Sequence, residues 1–182
     1  MILVPYADPD AWELRAVLRN LDLQGFAYDA VDCSRSHTAY PEAVRERWNA
    51  EEPLVIVEHD ILPWPGAIDE ILACPFSFCG LAYIEHSVLA AALGCTKIGA
   101  DVMAAVTLPE MTSIQGPPYE RPVAWDTLDW DLFRTVEGAG FRLDVHDPPV
   151  VHLHEGFSWD RSAPRWSPFG ADIFQPQGAD GA

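Results

Sequence analysis

The chain has 182 residues, enough for one well-buried domain and with no obvious room for two. Its 49% hydrophobic and 21% charged residues exclude a disordered chain, and no apolar run nears the roughly 20 residues of a membrane span. A net charge of −17 argues against unaided binding to a phosphate backbone, unless the eleven lysines and arginines gather in one groove.

The opening "MILVPYADPD" lacks the basic region of a signal peptide, so a soluble cytoplasmic protein is the expectation. In chain order, residues 1–6 read as a short buried strand. Asp8 and Pro9 supply a helix start, an N-cap acceptor with proline at the first helical position. Trp12, Leu14, Val17, Leu18 and Leu21 follow at helical spacing. A second strand in "FAYDAVDCS" ends at Asp32, and Pro41 opens a helix carrying Val44 and Trp48. The apolar run from Leu54 to Val57 reads as a strand buried on both faces. It stops abruptly at Glu58-His59-Asp60, and Pro63, Pro65 and Gly66 follow.

A short helix around 68–72, a strand "FSFCGLAYI" and a helix "HSVLAAAL" come next, while "CTKIGADVMAAV" fits helix or strand. The proline-rich "PEMTSIQGPPYERP" then leads to a helix over 126–138 and a last strand, "PPVVHLH". Strands alternating with helices predict an α/β fold, a three-layer sandwich around a mainly parallel central sheet, over residues 1–156. Residues 157–182, rich in proline, glycine and aromatics, read as a tail folded back over that domain. Cys33, Cys74, Cys79 and Cys95 form no CxxC pair and read as buried, reduced thiols in preference to a disulfide or zinc site.

Ligands of such sheets bind at the carboxyl ends of the strands. Asp32, Glu58, Asp60, His152 and His154 all fall at or near predicted strand ends. Acid-x-acid there suits a divalent cation carrying a diphosphate, because the ion prefers hard oxygen ligands and keeps positions open for phosphate. The same two acids could equally cap the turn before Pro63. His152 and His154 share one face of a strand and could complete a metal site with Asp60, although strand histidines at a surface are common.

In order along residues 1–156, the sequence resembles the GT-A class of nucleotide-sugar-dependent glycosyltransferases. "VIVEHDILPWPGAIDEIL" looks like their strand ending in the DxD motif, with Glu58 and Asp60 in the acidic positions and Glu departing from Asp at the first. "FCGLAYIEHSVLAAALG" is similar to a glycine, here Gly80, followed by an apolar strand and a helix closed by glycine, here Gly94. "LDWDLFRTVEGAGFRLDVHDPPVVHLH" resembles the stretch with an acid at a helix start, a glycine, a strand and a closing histidine. Leu128 replaces the first acid of the family's Glu-Asp pair and Asp129 keeps the second. The QxxRW signature of processive synthases is absent, which fits the transfer of a single sugar.

The resemblance implies a UDP- or GDP-sugar donor and a Mn2+ or Mg2+ ion held by Asp60 with His152 or His154. It places Asp32 on base or ribose and Glu58 on ribose or a metal-bound water; Tyr6, next to Pro5 at the end of the first strand, could stack on the nucleobase or equally serve packing alone. Asp129 would be the base that deprotonates an acceptor hydroxyl, or else an acid facing the helix dipole as Asp126 or Asp131 could equally be. Arg161 and Arg165, beside Trp159 and Trp166, could close the tail over the diphosphate or lie in a solvated tail. Trp64 and Trp125 flank the site as platforms for an acceptor or as core. Acceptors within reach of so small a chain are a glycan, a lipid-linked sugar, a protein side chain or a modified nucleobase. Two alternatives stand beside this reading: a non-catalytic nucleotide-binding module of the same fold, and a metal-dependent hydrolase built on "HLHEG".

Overall fold

The computed structural model describes residues 1–34, 36, 38–85, 88–90, 93–108, 124–146 and 150–153. Its first half runs β1 (Ile2–Tyr6), α1 (Trp12–Gln24), β2 (Tyr28–Asp32), α2 (Ala39–Asn49), β3 (Leu54–Val57), β4 (Ile61–Pro63) and α3 (Ala67–Ala73). The second half runs β5 (Phe78–Leu81), β6 (Tyr83–Glu85), β7 (Val88–Ala90), β8 (Cys95–Ile98), α4 (Ala100–Ala105), α5 (Ala124–Gly138), β9 (Asp144–His146) and β10 (Val150–His152).

Alternation along the strands decides the layering. Ile2 and Val4 face one way with Val55 and Val57, whereas Leu3 faces the other way with Leu54 and Ile56. Both sets are buried, so the sheet must be covered on both faces. Leu14, Val17 and Leu21 of α1 and Ile68 and Ile71 of α3 complete one core. Tyr40, Val44 and Trp48 of α2, Val102 and Met103 of α4 and Leu128, Leu132 and Val136 of α5 complete the other. Each such side chain contributes about 1.5–3 kcal/mol by leaving water. The result is a three-layer α/β sandwich, as the alternation of elements predicts.

The central sheet has six strands in the order β2-β1-β3-β8-β5-β9. It is mainly parallel: β8 alone runs against its neighbours, β3 and β5. β4 pairs with β10, and β6 with β7, as two small antiparallel sheets. No helix among the described residues is long and apolar enough to cross a membrane.

Several boundaries differ from the sequence expectation. The Asp8 carboxylate accepts the Asp10 N–H at 2.8 Å in a local turn, so α1 starts later, after Ala11 and without a side-chain cap. The helix expected over "HSVLAAAL" does not form at its described centre: residues 88–90 are β7, paired with β6, with Ile84 opposite Leu89. A segment of eight residues is too short to be helical on its own, and cross-strand pairing takes residues 88–90. The ambiguous "CTKIGADVMAAV" is both structures in turn, β8 and then α4. The strand predicted at "PPVVHLH" forms as β10 but lies outside the main sheet, whose edge is the unpredicted β9. The tail 157–182 lies outside the described residues.

Candidate functional site

The chain leaves β1 to one side for β2 and returns to the other side for β3, so the strand order reverses at β1. In open α/β sheets this is where a crevice forms outside the carboxyl ends of the strands. Tyr6 ends β1 in register with Asp32, the last residue of β2, and the Cys33 N–H donates to the Tyr6 carbonyl at 2.8 Å. Pro5 is buried in β1, and Tyr6 is partly exposed. Asp32 is exposed, and its Oδ1 accepts the Ser34 N–H at 2.9 Å. Pro5, Tyr6, Asp32 and Glu58 therefore share one edge of the sheet.

The turn after β3 is held on three sides. The Glu58 N–H donates to the Gly94 carbonyl at 2.9 Å, and the Ile61 N–H donates back to the Glu58 carbonyl at 3.0 Å, closing a tight turn around His59 and Asp60. The Tyr40 hydroxyl donates to Glu58 Oε1 at 3.2 Å. β10 then runs antiparallel to β4, with His152 opposite Ile61 and the Leu153 N–H on the Asp60 carbonyl. That pairing brings His152 Nε2 to 3.1 Å from Asp60 Oδ2 across 92 residues of sequence. The Tyr83 ring stands edge-on to His152, centroids 5.4 Å apart.

Asp60 is largely shielded from solvent. Burial alone would push its carboxyl up, but the hydrogen bond from His152 and the nearby imidazoles of His59 and His152 outweigh burial and hold it below its ordinary value. The acid is an ionised oxygen donor at neutral pH. Adjacent ligands of an octahedral ion at about 2.1 Å stand roughly 3.0 Å apart. The 3.1 Å between Asp60 and His152 is a hydrogen bond complete in itself, and its length is also that between two neighbouring ligands of one small cation. One carboxylate and one imidazole are thus brought together at this turn.

Asp129 lies in the second turn of α5, which begins at Ala124, and so does not open the helix as expected. The adjacent Leu128 is fully buried in the core. The Asp129 side chain, His154, Arg161 and Arg165 lie outside what the structure describes, as does the side chain of Trp125. Trp64 is exposed beside β4.

All four cysteines are buried and free, in agreement with the reduced thiols expected. Two of them belong to a cluster that sequence reasoning missed: donor atoms of Cys74, Cys79 and His146 lie within 4.8 Å of one another. His146 carries two carboxylates, Glu70 Oε1 at 2.9 Å from Nδ1 and Asp144 Oδ2 at 3.1 Å from Nε2. Burial would push this imidazole down, but Glu70, Cys74 and Asp144 together hold it above its ordinary value. Burial pushes the Cys79 thiol up to about 12. Asp144 and His146 alternate along a strand, a two-residue period that could have flagged them.

No family model matches the chain, and no curated protein does. Among solved structures, the crystal structure of A197 from STIV matches at a TM-score of 0.57, with 10% identity, over 85% of this chain and 85% of that one. The fold recurs there. A glycosyltransferase involved in the glycosylation of the major capsid of PBCV-1 matches at 0.48, with 14% identity, over 84% of this chain and 92% of that one. At that score the likeness is too loose to argue from.

Proposed function

We propose that the chain is a metal-dependent glycosyltransferase that moves one sugar from a UDP- or GDP-sugar to an acceptor hydroxyl. The observation that carries this reading is the acidic turn at the strand-order reversal, where Asp60 is kept ionised and touched by His152. The order of motifs along residues 1–156 points the same way. In this reading Asp60 and His152, with His154 as a further candidate, hold a divalent ion, and Tyr6 and Asp32 at the neighbouring strand ends receive the nucleoside. When bound, the ion neutralises charge developing on the diphosphate leaving group.

The protein's own groups do the rest. Tyr40 orients the Glu58 carboxylate toward ribose or a metal-bound water. Pro5 and Tyr6 bound the nucleobase, Asp129 takes the proton of the acceptor hydroxyl, and Arg161 and Arg165 close over the phosphates to exclude water. The acceptor is a glycan, a lipid-linked sugar, a protein side chain or a modified nucleobase.

The test is a thermal-shift series of nucleoside diphosphates and nucleotide-sugars with and without manganese. One nucleotide should stabilise the chain only with the metal, by about 2.7 kcal/mol at 100 times its dissociation constant. Uniform indifference to every nucleotide would end the proposal. Burial of Leu128 in place of an acid favours a second reading, a binding module without turnover. Manganese-dependent hydrolysis or transfer of the nucleotide-sugar, followed by mass spectrometry, separates the two.

A further inference from the structure

We propose that Cys74, Cys79, His146 and Asp144 bind one zinc ion, a site of its own that ties the end of α3 to the β5–β9 edge of the sheet. Cys74 follows α3 directly in extended backbone, and the chain enters β5 four residues later with Cys79 as its second residue. Register places Cys79 beside Asp144, and His146, two residues on, faces the same way. Tertiary pairing thus assembles four donors that no sequence spacing announces.

The geometry of His146 points to an ion. Glu70 occupies Nδ1, which leaves Nε2 to face Cys74 and Asp144. Nε2 is buried and makes no hydrogen bond, although Asp144 Oδ2 is only 3.1 Å away: the two atoms are close but out of line for donation. Atoms that converge without bonding each other suit two ligands of a common centre. The Cys74 thiol donates to the same Asp144 oxygen at 3.6 Å, so that oxygen touches two of the other donors. A carboxylate on the far nitrogen of a metal-bound histidine is the usual support for such a ligand, and Glu70 holds that place.

Size and charge agree. Zinc at about 2.3 Å from sulfur and 2.0–2.1 Å from nitrogen sets its tetrahedral ligands roughly 3.6–3.8 Å apart. The Cys74, Cys79 and His146 donors, now within 4.8 Å of one another, therefore need close by about 1 Å, and Asp144, outside that group, joins them from the side of His146 and Cys74. Two thiolates and Asp144 carry three negative charges; zinc and Lys97 carry three positive ones. Lys97 is buried in β8 opposite Cys79, with its ammonium on the Cys74 carbonyl at 2.6 Å. On binding, each thiol releases one proton to solvent and no oxidation occurs. Thiolate ligands favour zinc over manganese or magnesium, so this centre does not compete for the ion proposed at Asp60.

The experiment measures metal in the full chain, purified without chelators, by elemental mass spectrometry. About one zinc per chain is expected, falling to near zero in Cys74→Ser and His146→Ala and unchanged in Cys33→Ser and Asp60→Ala. Glu70→Gln should bind zinc about 10- to 100-fold more weakly. Cobalt(II) added to zinc-free wild-type chain should give thiolate-to-cobalt charge-transfer absorption, a readout that needs no variant to fold. Absence of both zinc and that absorption overturns the proposal, as does zinc retained in both ligand variants. A Cys74–Cys79 disulfide in freshly purified protein overturns it as well.

Discussion

At the turn after β3 the donor groups are carboxylates and an imidazole, partly open to solvent, at the edge where the strand order reverses. At the corner of β5 and β9 they are two buried sulfurs, an imidazole and a carboxylate, roofed by α3. The first keeps an ionised acid against an imidazole at the carboxyl end of a central strand, the setting that the proposed phosphate-holding ion would use. The second joins two buried sulfurs to a partly buried imidazole and a half-exposed carboxylate, four donors of the kinds that a tetrahedral zinc site uses. One sheet therefore presents a hard pair of donors, open in the sense that a bound ion would keep positions for phosphate, and a softer cluster with four donors of its own, and the donor chemistry separates them.

Asp60→Ala should break the comparison most sharply. It is expected to abolish manganese-dependent stabilisation by a nucleoside diphosphate, a loss of 100-fold or more in apparent affinity, while zinc content stays at one per chain. Unchanged manganese dependence would remove Asp60 from the open site. Asp129→Asn is next: turnover should fall about 10²-fold or more with a nearly unchanged donor dissociation constant, since a base acts only in the transition state. Steady-state kinetics with a calorimetric donor titration checks it, and retention of most activity would defeat the base assignment.

Gly94→Ala tests the packing behind the open site. A methyl there would lie 2.8 Å from Tyr83 Cε1 and 2.9 Å from Ile61 Cγ1, and those two residues flank His152. Overpacking should cost about 1–3 kcal/mol in denaturant unfolding and weaken manganese binding without touching zinc.

The smallest effect concerns pH. In metal-free protein the hydrogen bond from His152 to Asp60 should contribute about 1 kcal/mol, lost in His152→Ala. Asp60 is held below its ordinary value of 3.8, so this contribution is complete above that pH and disappears as pH falls through the lowered folded-state value. Wild-type and variant unfolding curves should differ at neutral pH and converge in that acid window. A difference that persists below it would assign the effect to packing of the imidazole instead.

Much of the layering was legible in the sequence, because it depends on local period. Leu54 to Val57 is apolar at every position, and only a strand covered on both faces buries it; the stop at Glu58 marks the sheet edge without reference to any partner. The helical spacing of Leu14, Val17 and Leu21 sets the face that α1 buries in the same local way. The error at "HSVLAAAL" has the opposite cause. Its alanines and leucines favour helix by small local increments, and a pairing with residues 83–85 outweighs them.

The amino-acid sequence by itself determined that this is an α/β protein with an acidic turn at the end of a central strand, since both follow from hydrophobic pattern and from the cost of burying charge. Only the tertiary structure decided which distant groups meet there. β10 leaves the main sheet to pair with β4, and that choice sets His152 against Asp60. β9 takes the sheet edge beside β5, and that choice sets Asp144 and His146 against Cys79. Strand partnership across 65 or 92 residues depends on the free energy of the whole packed sheet, and no local window of sequence contains that quantity.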